Sequence, residues 1–262
     1  MLAWSLGHLP SVKAGQVLVV ILAFLTLLTW MTVFVQNQYT LKQFTVGGLL
    51  LTGPAIYSLL PGPFLIHEFW AGTLIALSLA TYGRGWRYTS VICGLTALFL
   101  RELTLPFVCV MMGLAYIERR RGEALVWLLG ILTFGGELLL HWSIVSKLIT
   151  EKDLALKGGW VVFGGWTFVL ETARMQPLLL IAPAWVSAII LPSALLGLAG
   201  WHSNLGSRVG CTVGIYTLAY LFVGLPFNQY WGLMYTFVMP LGLLYVPYVV
   251  KDLLQIIRQK TT

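Results

Sequence analysis

The stretch that decides the reading is Val91–Tyr116, VICGLTALFLRELTLPFVCVMMGLAY, in which Arg101 and Glu102 sit in the middle of an apolar run. A charge at bilayer depth costs roughly 2.5–3.5 kcal/mol on insertion scales. Two charges in such a run have to pair, face water or do work. The flanks are basic on both sides, with Arg84 and Arg87 before the run and Arg119, Arg120 and Arg121 after it. Basic residues in short loops mark the cytoplasmic side. If both flanks lie on that side, the chain must turn back inside the membrane. Two half-length helices with RELTLP at the turn satisfy this. Pro106 favours a turn there, because it lacks an N–H and restricts the residue before it. The alternative is one long tilted helix, which conflicts with the distribution of positive charge.

Working outward, the whole chain has the composition of a membrane protein. Of its 262 residues, 58% are hydrophobic and only 10% charged, against about 25% charged in ordinary soluble domains. Apolar runs approaching the ~20 residues that cross a bilayer recur along it. They predict an all-α polytopic bundle of about nine membrane segments, two of them short. The segments are Gln16–Gln36, Val46–Leu60, Phe64–Tyr82, Tyr88–Leu100, Leu105–Ile117, Ala124–Ser146, Pro177–Leu198, Val209–Leu225 and Trp231–Val250. Residues 1–262 read as one transmembrane domain, with 147–176 as an external interfacial loop. The start of the chain has no basic segment followed by a small-residue cleavage site, so no cleaved signal peptide is expected.

Lys42, Arg84, Arg87, Arg119, Arg120, Arg121, Arg208, Lys251, Arg258 and Lys260 are read as cytoplasmic. This puts the N-terminus outside and the C-terminus inside. His67-Glu68, Arg101-Glu102, the 147–176 loop and Phe227–Tyr230 then share the outer face. The net charge of +7 belongs to the cytoplasmic loops and to anionic lipid; no nucleic-acid signature is present. Cys93, Cys109 and Cys211 lie in apolar runs without CxxC spacing and read as small buried hydrophobes. A P-loop, GxSxG elbow, HExxH and dinucleotide fingerprint are all absent.

Each outer-face candidate has two readings. Glu68 opens a helix, where the helix dipole favours a carboxylate; it is also placed to act as a base or to hold a divalent metal at the outer interface. His67 is its chain neighbour, so on a helix the two side chains diverge and do not make a metal site. Arg101 and Glu102 either neutralise each other at the turn, or Arg101 grips a phosphate with its planar fork. Glu137 and His141, four apart, share a helix face and suit an interhelical hydrogen bond. The repeat Gly158-Gly159-Trp160 and Gly164-Gly165-Trp166 suits either a membrane surface or stacking on a sugar ring. No metal site and no cofactor follow from these patterns.

The strings HEFWAGTLIALSLA, FLRELTLPFV, ERRRGEALVWLLG, GGWTFVLETARMQPLLL and VGLPFNQYWGLMY, in order over roughly residues 64 to 250, resemble the polytopic GT-C glycosyltransferases. The resemblance is closest to bacterial membrane proteins of cell-surface glycopolymer formation. It implies inverting transfer of a sugar from a polyprenyl phosphate to a cell-envelope acceptor, at the outer face of the bacterial inner membrane. By this resemblance Glu68 is the remaining candidate base and Arg101 steadies the leaving phosphate. His67, Glu102, Trp160, Trp166, Asn228, Gln229 and Tyr230 contact substrate. The family places an acidic residue in an outer loop after its first span. Here no Asp or Glu precedes Glu68, so the chain resembles a member lacking that loop. The competing expectation is a non-catalytic membrane subunit or scaffold of a larger complex.

Overall fold

The computed structural model describes residues 12–148, 159 and 161–261. Every regular element among them is helical, and the one extended feature is an isolated antiparallel bridge between Val161 and Val223. In chain order the α-helices are α1 Val12–Gln36, α2 Leu41–Ser58, α3 His67–Gly83, α4 Arg87–Leu100, α5 Leu105–Ile117 and α6 Arg121–Val145. They continue with α7 Gly165–Ala173, α8 Pro177–Leu180, α9 Ala184–Ala199, α10 Asn204–Ala219, α11 Leu233–Thr236 and α12 Val246–Thr261. Short 3-10 segments occupy Pro63–Leu65, Glu102–Thr104, Pro226–Gly232 and Met239–Leu244.

The expectation of about nine GT-C-like membrane segments is corrected. Among the described residues only two helices, Lys13–Gln36 and Arg121–Val145, are long and apolar enough to cross a membrane. At ~1.5 Å per residue each exceeds the ~30 Å of a hydrocarbon core. Several of the other apolar runs are cut short or enclosed. The run Trp231–Val250 is broken into a four-residue helix and a 3-10 turn before α12 begins. The run Pro177–Leu198 is split ahead of Pro183, leaving a 16-residue α9. The run Val209–Leu225 is helical only to Ala219, within an α10 that starts at Asn204. The run Phe64–Tyr82 becomes a 17-residue α3 that is buried nearly all round by the other helices. An apolar sequence cannot say whether lipid or protein will cover it; α3 is covered by protein.

Packing around α3 is close. Gly72 lets α3 touch the backbone beside α11: a Cβ placed there would lie 2.0 Å from the Leu233 carbonyl oxygen. Trp30 of α1 donates from Nε1 to the Ala76 carbonyl at 3.0 Å, and the Ser78 hydroxyl lies 3.0 Å from that of Ser90 on α4. Phe69 meets Phe237 edge-on with ring centroids 5.3 Å apart. Each such contact is worth roughly 0.5–1.5 kcal/mol.

By contrast, α1 and α6 each cover one stripe and leave the rest open. On α6, Ala124, Trp127, Gly130 and Phe134 are buried, while Leu125, Leu128, Leu132, Leu139 and Trp142 are exposed. A helix apolar on every face needs apolar surroundings on every face.

The chain doubles back at Arg101. This residue ends α4 in an extended conformation, with φ −150° and ψ 119°. The Arg101 amide donates to the Ala97 carbonyl at 2.9 Å, and the Thr104 hydroxyl donates to the same oxygen at 3.0 Å. The break lies earlier than proline chemistry alone suggests, because Leu105 is already helical and Pro106 sits in the first turn of α5, where a missing N–H costs nothing. Arg87 and Arg120, at the far ends of α4 and α5, line one cavity. The bundle therefore has a basic end and an Arg101 end.

Candidate functional site

At the Arg101 end, Glu68 is in the first turn of α3 and almost wholly buried. Arg101 Nε lies 2.8 Å from Glu68 Oε1, and Nη1 lies 3.0 Å from Glu102 Oε1. The Nε–H is not aligned for a hydrogen bond, so the first contact is one of charge. The guanidinium thus bridges a buried carboxylate, whose side chain is 5% exposed, and an open one at 56%. Tyr216 braces the turn by donating to the Leu103 carbonyl at 2.8 Å, and Tyr220 donates to the Trp231 carbonyl at 2.9 Å.

Arg101 and Glu102 form part of the wall of an open cavity of about 350 Å³ between α4 and α6. Glu137 and His141 line it as well. The sequence reading gave this pair to an interhelical hydrogen bond; the fold instead sets it opposite Arg101. Their shared helix face was legible, but not that α6 lies beside the end of α4. Glu68 is not part of this lining. The cavity therefore presents one guanidinium, two carboxylates and one imidazole next to the uncovered leucines of α6. Among the described residues no group of three or more His, Cys, Asp or Glu could hold a metal ion.

The other expected contacts scatter. His67 is half-buried beside Glu68. Trp70 donates from its indole to the Phe64 carbonyl at 2.8 Å, closing the turn into α3. Asn228 is buried and accepts from the Leu225 amide at 3.0 Å, holding its own turn rather than facing outward. The Gln229 amide end faces the Pro226 and Phe227 carbonyls at 2.6 and 3.1 Å, which orients its nitrogen toward them as donor, and Tyr230 is half-buried. Trp166 is exposed at the start of α7, where Gly165 takes φ +59°, a backbone state that favours glycine. Trp160, in the first copy of the repeat, lies outside the described residues, as do 149–158 of the 147–176 loop.

The basic end holds a second polar cluster that the sequence reading missed. Arg208, read as a loop charge, is inside α10 and fully buried. Its Nη1 and Nη2 donate to the two oxygens of Glu118 at 2.5 and 3.0 Å, and its guanidinium lies over the Tyr82 ring, 3.8 Å from the centroid. Arg120 adds a bond to the Tyr82 hydroxyl and lies 3.3 Å from Glu118. Burial acts to raise the Glu118 pKa, but the Arg208 hydrogen bonds and charge, with Arg120, outweigh it and hold the carboxyl below the usual glutamate range. A signal was present. Ser203 is the N-cap of α10, accepting from the Gly206 amide at 2.9 Å, and a capping serine there puts Arg208 inside the helix.

Comparison with protein-family models, with curated proteins and with solved structures found no match.

Proposed function

We propose that the protein binds a polyprenyl-phosphate sugar at the Arg101 cavity and takes part in transferring the sugar to a cell-envelope glycopolymer. The observation that carries this reading is Arg101. It lines an open cavity between two carboxylates, beside the uncovered apolar face of α6, where a lipid chain has somewhere to lie. In the transfer, an acceptor hydroxyl attacks the anomeric carbon, a carboxylate takes its proton, and the polyprenyl phosphate leaves with the bonding electrons on its oxygen. Arg101 stabilises that developing charge. Glu102 and Glu137 line the cavity and suit the base. Glu68, buried behind Arg101, suits orienting the guanidinium better than taking a proton. In this reading α1 and α6 cross a bacterial inner membrane, the basic end is cytoplasmic, and the start of α1 and the Arg101 cavity lie outside.

The test is release of polyprenyl phosphate by reconstituted protein given a polyprenyl-phosphate sugar and glycopolymer acceptor. Loss of release in Glu102→Gln or Glu137→Gln, with donor binding intact, is expected; release unchanged in both refutes this assignment. A second reading, a non-catalytic subunit, is favoured by the tie between Glu68 and Arg101, which uses both residues to join α3 to α4. It predicts no release from the wild type and co-purification of a membrane partner.

A further inference from the structure

At the basic end a cavity of about 640 Å³ opens between the α3–α4 turn, the α5–α6 turn and the start of α10. Arg87 and Arg120 line it from two turns, with Ser203, Asn204 and the Tyr39–Tyr245 hydroxyl pair on other sides. Trp201 forms a flat apolar wall by stacking on Tyr245, with ring centroids 4.7 Å apart and planes 19° apart. Glu118 is held by Arg208 from both oxygens, and Glu123, which does not line the cavity, lies 3.7 Å from Arg120 in a charge contact without a hydrogen bond. Arg87 is exposed and, among the described residues, has no carboxylate within ion-pair distance. The first amides of α10 add positive potential on the same side.

We infer that this cavity is a binding site for a phosphate-bearing headgroup, separate from the Arg101 cavity and at the opposite end of the bundle. Positive charge at a cytoplasmic face by itself explains only diffuse attraction to anionic lipid. A concave site explains more. Its volume falls in the range of small-ligand pockets, roughly 300–1,000 Å³, which is more than an inorganic ion fills and enough for a headgroup with its glycerol or ribose. A guanidinium left without a carboxylate inside a cavity matches phosphate with its planar fork, and the Ser203, Asn204 and tyrosine hydroxyl groups of the lining offer polar partners to the rest of the ligand. The inference rests on this cavity alone and is independent of any sugar transfer at the other end.

The experiment uses the full chain in detergent, titrated separately with phosphatidylglycerol, with phosphatidylcholine and with a nucleoside diphosphate, followed by native mass spectrometry. A headgroup site predicts saturable binding of one phosphatidylglycerol and weak binding of phosphatidylcholine. Arg87→Ala lowers that affinity about tenfold, equivalent to ~1.4 kcal/mol, and Arg87→Lys recovers part of it. Arg121→Ala removes an exposed cation from the same end but outside the cavity, and leaves the affinity within about twofold. Saturable binding of the nucleoside diphosphate with the same Arg87 dependence assigns the cavity to a soluble phosphate ligand instead. Equal losses in Arg87→Ala and Arg121→Ala, or no saturable binding of any phosphate ligand, overturn the site. Arg87 is exposed and outside the Glu118 network, so its variants test binding rather than folding.

Discussion

Arg208 of α10 and Glu118 between α5 and α6, 90 positions apart in sequence, meet as a two-pronged ion pair with the guanidinium fully buried. The pair is asymmetric. The Glu118 side chain remains 19% exposed and keeps Arg120 nearby, whereas among the described residues Arg208 is held by Glu118, the Asn204 carbonyl at 3.2 Å and the Tyr82 ring.

This asymmetry predicts unequal effects of breaking it. Glu118→Ala strands a buried guanidinium and should cost about 3–5 kcal/mol. Arg208→Met leaves a carboxylate that water and Arg120 can still reach, with an apolar chain in the vacated space, and should cost much less. Thermal unfolding of the two variants in one detergent compares them; Arg208→Met equal to or worse than Glu118→Ala would count against the burial argument.

The same pair sets an acid limit. Because the folded-state carboxyl of Glu118 sits below its ordinary value of 4.5, its contribution to stability is complete above that value. It is lost as pH falls through the lower, folded-state value. Glu118→Gln should therefore be less stable than wild type at neutral pH, and the gap should close on acidification below about pH 4.5. A gap that stays constant from pH 7 down to pH 3 would show that Glu118 does not titrate against Arg208.

The helices were largely legible in the sequence; what covers them was not. Charge on both sides of Val91–Tyr116 and the interruption by Arg101-Glu102 mark a chain that turns back, and the Leu105–Ile117 run is helical throughout. Apolar content has the same signature whether the neighbour is lipid or protein, so α3, enclosed by other helices, reads like a span. Gly and Pro positions carried the missing information. The prolines at 183 and 240, and the close approach of Gly72 to Leu233 and of Gly197 to the Gly242 carbonyl, point to short, tightly packed pieces rather than long rods in lipid. For the site, the contact of Arg101 with its neighbour Glu102 was legible as mutual neutralisation at the turn, whereas its contact with Glu68, 33 positions earlier, was not. That Arg101, Glu137 and His141 line one cavity, and that Glu118 meets Arg208, depends on which helices are neighbours, and no local pattern encodes that.

The Glu68–Arg101 tie predicts a rescue. Arg101→Ala leaves the buried carboxylate unpaired and should destabilise the protein by several kcal/mol, about 3–5 if Glu68 stays ionised. Adding Glu68→Gln removes the stranded charge and should recover most of the loss. Glu68→Gln alone leaves Arg101 with Glu102 and should be the mildest of the three. A double variant no better than Arg101→Ala would mean that Arg101 acts through something other than Glu68.

Gly72→Ala tests the contact between α3 and the α11 backbone. The added methyl would sit 2.0 Å from the Leu233 carbonyl oxygen, and backbone cannot step aside as a flexible side chain can. Overpacking of this kind costs about 1–3 kcal/mol or more. Gly113→Ala on α5, where a Cβ meets nothing within 4 Å, is the control and should be neutral or slightly stabilising through helix propensity. Equal unfolding midpoints for the two variants would contradict this packing.

The uncovered face of α6 makes the sharpest statement about the membrane. Leu128, Leu132 and Leu139 are exposed along a 25-residue helix, and an apolar surface of that length marks a face for lipid or for another protein. Single cysteines at these positions, in a background with Cys93, Cys109 and Cys211 replaced, should react with a lipid-soluble maleimide and resist a charged, membrane-impermeant one in native vesicles. Cysteines replacing Arg121 and Ser146, at the two ends of the helix, should both react with charged reagent but from opposite sides of the vesicle. Cysteines in place of Arg87 and Arg121 should label from the same side, because the α4 and α5 ends carrying Arg87 and Arg120 share one cavity. Charged reagent reaching Leu132 as readily as Arg121 would place α6 in water and remove the membrane from the account of this helix.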